Sequence, residues 1–210
     1  DYDAACERVS GNGGIACLDF GCDRFKLPFG ACGLRNKKTR REVEMILKNI
    51  KKIYGDKVIF DNFDIEFVQG KITAVLGRSG CGKTTLLNVI CGSVEYTGEV
   101  ERPDKISYIF QSQRLVPNLT VYKNLEYVLS YIRDKNEKNK RIDEVLKMVE
   151  MYEDRDKYPS ELSGGMAQRA SLARAFVYDA PLMLMDEPFK GLDVSLKKRI
   201  IDVFKRLYER

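Results

Sequence analysis

A glycine-rich stretch of eight residues carries the clearest chemical signal in the sequence. It fits the pattern G-x-x-x-x-G-K-S/T and reads Gly77-Arg78-Ser79-Gly80-Cys81-Gly82-Lys83-Thr84. Its glycines let the backbone curl so that N–H groups converge on phosphate oxygens, and the following helix turns its positive end toward the same anion. Lys83 adds a charge for the β and γ phosphates, and the Thr84 hydroxyl is placed to ligate Mg²⁺. We therefore predict a nucleoside triphosphate site, and we include Thr85 among its binding residues.

An apolar run that ends in two carboxylates is the second chemical signal. Asp186 and Glu187 follow directly on the run PLMLM at 181–185, which predicts a buried strand. Because ligands collect beyond the carboxyl ends of strands in open parallel sheets, we expect Asp186 to reach a bound Mg²⁺. Glu187 would point toward the γ-phosphate and polarise an attacking water as general base. Such an acidic pair is commonplace by itself, and the stretch 77–84 is what favours the functional interpretation.

Sequence patterns predict the elements that would position these groups. The run at 72–76 is short, continuous and β-branched, which is typical of a strand covered on both faces in a parallel sheet. An apolar helical face follows the glycine-rich turn and stops at Gly92. Apolar residues at helical spacing predict two amphipathic helices over 121–132 and 142–149, joined by a charged, solvated linker, and a final helix over 195–208.

Composition excludes several classes of protein. A chain of 210 residues with 44% hydrophobic content can bury the core of one sizeable domain or two small ones. It contains no histidine, so Ser-His-Asp or Cys-His nucleophiles and histidine-ligated metals are excluded. No apolar run approaches the roughly 18 to 20 residues needed to cross a bilayer. The net charge of +5 is spread along the chain, so charge does not argue for nucleic acid.

Residues 1–44 differ in character from the rest of the chain. They are rich in glycine, show neither strand nor helix periodicity, and begin with Asp where a start methionine is expected. We interpret them as a poorly structured or non-native segment that precedes a folded domain at 45–210. Four cysteines fall here at irregular spacings, which favours free thiols over zinc ligands; they are Cys6, Cys17, Cys22 and Cys32.

The run LSGGMAQR at 162–169 resembles the signature sequence of ATP-binding-cassette (ABC) ATPases. It follows the stretch 77–84 and precedes Asp186 and Glu187, which is the order of that family. A serine and two glycines that open a helix at 166–178 also make an amide-rich terminus suited to an anion. The resemblance implies that this run contacts ATP held by a partner cassette, through the residues Ser163, Gly164, Gly165 and Gln168.

The resemblance covers about residues 45–210 and implies an α/β fold of the P-loop NTPase class. This is an ABC-type ATPase domain with a mainly parallel sheet core, an antiparallel β subdomain and a compact helical subdomain at about 112–165. The family pattern also places a switch histidine on a strand after the final helix, and this chain has none. We therefore interpret the chain as a fragment truncated at the C-terminus, with a degenerate cassette as the lesser alternative.

Further site residues follow from the resemblance. Tyr54 stands where the family has an aromatic ring that stacks on adenine, and Gln111 stands where a glutamine joins the Mg²⁺ shell and senses the transmembrane partner. Asp193 matches the aspartate of the loop after the catalytic glutamate, although Lys190 and Gly191 stand where small residues are more usual. The predicted catalytic residues are Glu187, Lys83 and Gln111, and the predicted metal ligands are Thr84, Gln111 and Asp186.

The function that the resemblance implies is ATP hydrolysis, with ATP and Mg²⁺, by the ATPase subunit of an ABC transporter. The chain would pair head to tail with a second cassette, identical or paralogous, at the cytoplasmic face of the cell membrane. It would drive separate transmembrane permease subunits and, through them, serve a solute-binding protein. The segments 115–121 and 185–189 are most similar to the nitrate, sulfonate and taurine importer branch. The fragment alone is expected to be weakly active, since the switch histidine is missing.

Two alternatives stay open. One is a soluble ABC ATPase that regulates a ribosomal or other complex, and the other is a nucleotide-binding module that does not hydrolyse ATP. About fifty residues separate Gln111 from Leu162, which is too few for the coiled-coil arms of DNA-repair relatives. We therefore expect no nucleic acid partner.

Overall fold

A computed structural model describes residues 5–9, 16–20, 45–67, 70–190 and 193–208 of the chain. The chain divides into two units, Asp1–Asp104 with Tyr208–Arg210, and Lys105–Leu207. Across the described ranges, every helix is too short or too polar to span a bilayer.

The first unit is mainly a β structure. Its elements in chain order are β1 (Ala5–Val9), β2 (Ala16–Phe20), β3 (Met45–Tyr54), β4 (Lys57–Phe67), β5 (Ile72–Leu76), α1 (Lys83–Cys91) and β6 (Thr97–Glu101). One sheet has the antiparallel order β4-β3-β6, and alternate residues of its strands, such as Leu47 and Phe63, are buried as the sequence pattern predicts. A bulge at Asn49 interrupts β3, and a Cβ on Gly98 would lie 2.6 Å from the Asn49 carbonyl oxygen. Only glycine therefore lets β6 pair beside the bulge.

The second sheet of this unit differs from the expectation. It has the antiparallel order β1-β2-β5, so the strand before the phosphate-binding stretch pairs with residues 16–20. The prediction of a poorly structured segment does not hold for the ten residues of β1 and β2, while the rest of 1–44 lies outside the described residues. Among the described residues, the parallel strand pair belongs to the other unit, and β5 pairs with β2 in an antiparallel sheet. Ile72 and Leu76 of β5 are exposed, unlike the residues of a strand covered on both faces.

The second unit holds a parallel strand pair and most of the helices. Its elements in chain order are β7 (Ile106–Ile109), α2 (Val121–Val128), α3 (Lys135–Met148), a 3₁₀ turn (Pro159–Glu161), α4 (Gly164–Val177), β8 (Leu182–Met185) and α5 (Val194–Tyr208). The strands β7 and β8 are parallel, as expected for neighbours whose carboxyl ends share an edge. The helices α2, α3 and the 3₁₀ turn fall within the predicted helical subdomain, whose bounds stay a prediction.

The start of α3 shows where charge patterning misled the sequence interpretation. The helix begins at Lys135, inside the stretch expected to be a solvated linker. The Asp134 side chain caps it by accepting hydrogen bonds from the Asn136 and Glu137 amides. Its first turns face solvent, so they need no apolar residue before Ile142, which is fully buried.

The core of the second unit is built around α4. Small side chains on this helix, including Ala170 and Ala173, are fully buried and let neighbouring elements pack closely. The buried Asn124 of α2 donates to the carbonyls of Val116 and Leu119 and so orders the segment that leads into α2. Burial of a side chain this polar is tolerated because its hydrogen bonds are made.

Candidate active site

The phosphate-binding stretch, here called the phosphate loop (residues 77–84), joins β5 to α1 as predicted. Gly80 and Gly82 adopt φ values of +75° and +107°, which L side chains rarely adopt. A Cβ on Gly82 would also come within 2.8 Å of the Ile59 side chain, because the loop lies against β4. Glycine is therefore favoured at position 82 for two reasons, namely its positive φ and the close approach of the Ile59 side chain.

Lys83 is the first residue of α1, and its side chain folds back over the loop. Its Nζ donates to the Gly77 carbonyl at 2.8 Å and to the Arg78 carbonyl at 2.9 Å. The first turn of α1 has no acidic side chain, so no carboxylate of that turn compensates the positive end of the helix. A lysine cation and a helix N-terminus thus meet at one loop, which can bind an anion such as a phosphate chain.

The remaining loop residues are accessible to a ligand. Residues 77–80 and Thr84 are exposed, whereas Cys81, Lys83 and Thr85 are half-buried. Cys81 is a free thiol whose Sγ lies 4.0 Å from Lys83 Nζ. The Thr84 hydroxyl lies on an exposed position of the first turn of α1, where it can supply an oxygen ligand.

Tyr54, predicted to stack on adenine, is the last residue of β3 and keeps about half of its surface exposed. Lys52 Nζ lies 4.4 Å from the centre of its ring, and the same ammonium donates to the Glu95 carbonyl at 2.6 Å. The ring is thus oriented by a cation–π contact. Its stacking on adenine stays a prediction.

In the second unit, Asp186 and Glu187 follow the end of β8. The Asp186 side chain is buried, and its amide donates to the Ile109 carbonyl at 2.9 Å, which continues the pairing of β8 with β7. Glu187 is exposed and has a φ of +48°, an uncommon backbone conformation for a residue with a side chain. The chain therefore turns sharply at the predicted catalytic carboxylate.

The structure brings Gln111 and Glu187 together. Gln111 follows the end of β7, and its Nε2 donates to Glu187 Oε2 at 2.9 Å. Lys190 Nζ lies 2.8 Å from the same oxygen. The sequence interpretation noted Lys190 only as an unusual residue, and its position three residues after Glu187 was the signal that could have identified the ion pair.

The predicted Mg²⁺ ligands have the right donor chemistry. Thr84, Gln111 and Asp186 offer a hydroxyl, an amide and a carboxylate oxygen, and Mg²⁺ at phosphate sites takes one or two carboxylates together with substrate phosphates. In the part of the chain that the structure describes, no three Asp, Glu, Cys or His side chains form a group that could hold a metal by themselves. Each of these donors suits Mg²⁺, and their joining in one site stays a prediction.

The signature run begins α4. Ser163 is the N-cap, and its hydroxyl accepts a hydrogen bond from the Met166 amide at 3.3 Å. Gly164 is exposed, and a Cβ built on it would meet no atom within 4 Å. Packing within this chain therefore does not explain the glycine at this position.

Gln168 is buried within this chain, and its predicted contact with nucleotide stays a prediction. Only 3% of its surface is exposed, and its Nε2 donates to the Pro188 carbonyl at 2.8 Å. The cause of its burial is its position five residues beyond the exposed Ser163, which places it about 140° around α4, on the buried face. Its side chain thus contacts the residue that follows Glu187.

Two further residues complete the description. Asp193 is exposed and accepts a hydrogen bond from the Ser195 hydroxyl at 2.7 Å, next to the start of α5, while its contact with nucleotide stays a prediction.

Arg174 of α4 donates to the carbonyls of Arg114 and Gln113, just after Gln111. Burial lowers the pKa of the Arg174 guanidinium. Neither Arg174 nor its carbonyl partners carried a recognisable signal in the sequence.

The family model described as ABC transporter matches residues 60–190. This range holds the phosphate loop, Gln111, the signature run and Asp186. The chain belongs to the ABC transporter family. The resemblance to ABC ATPases is therefore confirmed.

Relatives of the cassette carry names of import ATP-binding proteins. The spermidine/putrescine import ATP-binding protein of Thermotoga maritima is 36% identical, over 80% of this chain and 49% of its own length. The glucose import ATP-binding protein of Saccharolobus solfataricus is 36% identical, over 80% and 53%. The chain thus spans about half the length of these two relatives. A probable sulfate/thiosulfate import ATP-binding protein of Chlorella vulgaris is 32% identical, over 80% of this chain and 77% of its own length.

A solved structure supports the fold. The ATP-binding cassette MJ0796, in a dimeric post-hydrolysis state bound to ADP and Pi, superposes with a TM-score of 0.67 at 30% identity. The match covers 78% of this chain and 82% of that chain. The predicted fold class, an ABC-type ATPase of the P-loop NTPase class, is confirmed.

Proposed function

We propose that this cassette is the ATP-binding and ATP-hydrolysing subunit of an ABC transporter that imports a solute. The observation that carries the proposal is the phosphate loop, where Lys83 Nζ lies on the loop carbonyls at the N-terminus of α1. A cation, a glycine backbone and a helix N-terminus at one place are what a triphosphate needs. The word import in the names of the relatives supports the direction of transport.

The residues divide the work as follows. The phosphate loop binds the triphosphate, and Tyr54 offers an exposed ring for the base. Glu187 accepts a proton from the attacking water, and its hydrogen bond with Gln111 orients the carboxylate. Mg²⁺, when held by Thr84, Gln111 and Asp186, would neutralise charge on the phosphates.

The signature run is proposed to act on ATP bound by a second cassette. A Cβ built on Gly164 would meet no atom of the described residues within 4 Å, so a ligand or partner at that surface is the better explanation for this glycine. The dimeric state of the MJ0796 cassette supports the same arrangement. The partners would then be a second cassette, identical or paralogous, and separate permease subunits at the cytoplasmic face of the membrane, and through the permease a solute-binding protein.

The nitrate, sulfonate and taurine branch rests on two short segments, while the relatives reported above are named for other solutes, so this branch stays a prediction. A cassette that serves a soluble complex would bind ATP in the same way. Co-purification of the full-length protein with a multi-span permease would distinguish the transporter from that alternative.

A variant of the signature tests the division of roles. Ser163→Arg places a bulky cation at the exposed N-terminus of α4, and it should block ATP-driven pairing while MgATP binding by the single chain stays unchanged. Pairing can be followed by light scattering and binding by calorimetry. The control is Ser160→Arg, an exposed position in the preceding 3₁₀ turn, which should leave pairing intact. Normal pairing by Ser163→Arg, or absence of MgATP binding by the unsubstituted protein, would reject the proposal.

A further inference from the structure

We propose that Gln168 and Arg174 of α4 are positioning residues that hold the backbone segments bearing Glu187 and Gln111. The inference rests on the proposed function, since it assigns to both side chains an effect on hydrolysis. Neither side chain needs to contact nucleotide. Each acts through a hydrogen bond to a main-chain carbonyl of the second unit.

The first tether is Gln168. Its buried side chain donates to the carbonyl of Pro188, the residue directly after Glu187. Glu187 itself has a φ of +48°, a backbone conformation that is strained for a residue with a side chain and persists only where the surroundings impose it. The Lys190 amide closes the turn on the Glu187 carbonyl at 3.0 Å, and Gln168 fixes Pro188, one of the two residues between them. The bond from α4 therefore helps to impose the turn that presents the carboxylate.

The second tether is Arg174. Its two terminal nitrogens donate to the Arg114 carbonyl at 2.8 Å and the Gln113 carbonyl at 3.3 Å. Arg114 has a φ of +44°, and its guanidinium lies 4.0 Å from the centre of the Phe110 ring. The planar fork of an arginine can hold two neighbouring carbonyls at once, which a lysine cannot do. The segment after Gln111 is thereby fixed to α4.

The two tethers converge on one hydrogen-bonded pair. Gln111 follows β7 and Glu187 follows β8, and a hydrogen bond from Gln111 Nε2 to Glu187 Oε2 at 2.9 Å joins them. Between the tethers, α4 is held by its buried residues 170–173, and its N-terminus is the signature run. A displacement of α4 would therefore be passed to both Gln111 and Glu187. This gives the signature helix a mechanical connection to the catalytic carboxylate within a single chain.

The test compares three deletions of a hydrogen bond that is made by or to α4, in the full-length protein. Gln168→Met keeps side-chain length, whereas Arg174→Met keeps the aliphatic stem and is shorter; both substitutions remove the donors. The control is Ser107→Ala, which removes a buried hydrogen bond of α4 other than the two tethers, because the Ser107 hydroxyl of β7 donates to the Ala175 carbonyl of α4 at 2.8 Å. Steady-state ATP hydrolysis should show kcat lowered about tenfold or more in both Met variants, since small misplacements of a catalytic group are costly. KM for ATP should stay unchanged, and Ser107→Ala should keep the parental kcat.

Two results would overturn the inference. One is a kcat for Gln168→Met equal to that of Ser107→Ala. The other is a lower kcat together with a higher KM for ATP and a lower thermal midpoint, since that pattern indicates a general loss of folding.

Hydrogen exchange provides a readout that does not depend on hydrolysis. The Lys190 amide should exchange faster in Gln168→Met than in Ser107→Ala, because its turn loses the neighbouring tether. Equal exchange rates would overturn the inference. If the unsubstituted protein does not hydrolyse ATP, the proposed function fails while this measurement still decides the tether.

Discussion

The phosphate loop and the segment 186–190 are held in place in opposite ways. In the loop, the Lys83 ammonium bonds to carbonyls five and six residues earlier, and the glycines supply the unusual backbone conformations. The hydrogen-bond partner of Glu187 is Gln111, 76 residues earlier in the chain. Gln168, which bonds to the neighbouring Pro188, lies 20 residues before it. One region is a local structure, and the other is a product of tertiary packing. Substitutions should reflect this difference.

The largest effect is expected at the carboxylate itself. Glu187→Gln should lower kcat by about 10²- to 10⁴-fold, because an amide cannot accept the proton of the attacking water. MgATP affinity should stay unchanged, since the phosphate loop is intact. Phosphate release and calorimetry measure the two quantities. Glu153→Gln, at an exposed carboxylate of the same unit, serves as control, and an equal loss of kcat in both variants would remove Glu187 from its proposed role.

The next effect tests the local region. Lys83→Ala should weaken MgATP binding by roughly 10- to 100-fold, the range expected for losing hydrogen bonds to a charged group. Lys71→Ala removes an exposed lysine from the same unit and should bind MgATP as the parent does. Calorimetric dissociation constants make the comparison. Similar affinities for the two variants would mean that Lys83 of the phosphate loop does not bind the triphosphate.

Two glycine substitutions then contrast a residue required by its own chain with one that is not. Gly82→Ala should lower the free energy of unfolding by about 1–3 kcal/mol, because of its φ of +107° and the Ile59 contact. Gly164→Ala should raise it by about 0.5–1 kcal/mol, since it lies in a helix with open space around it. Urea unfolding measures both. The same sign for both substitutions would contradict the distinction.

The smallest effect concerns the ion pair at Glu187. Lys190→Met should change the free energy of unfolding by less than about 1 kcal/mol, because both side chains are largely exposed and such pairs contribute little. Its contribution should shrink further at high salt. Lys157→Met, which breaks the comparable exposed pair with Asp154, provides the control. A loss well beyond that of the control would show that Lys190 supports the Glu187 turn structurally.

Most of the helices and the phosphate loop were predictable because their signals are short in range. The capped start of α4, the end of α1 at Gly92 and the turn at 77–84 follow from neighbouring residues. The partner of β5 was not predictable, since a continuous apolar run does not specify which strand will pair with it. The early start of α3 was missed because a charged first turn lacks the apolar periodicity by which helices are recognised.

Local chemistry alone specified that this cassette has a glycine loop with a lysine, an acidic pair after a strand and a serine-glycine helix start. Each of these depends on residues within one turn or one strand of the chain. Folding decided that Gln111 meets Glu187, that Gln168 turns inward to the Pro188 carbonyl, and that Arg174 holds the segment after Gln111. Those contacts join residues 20 to 76 positions apart, so they exist only once the buried faces of α4, β7 and β8 have packed together.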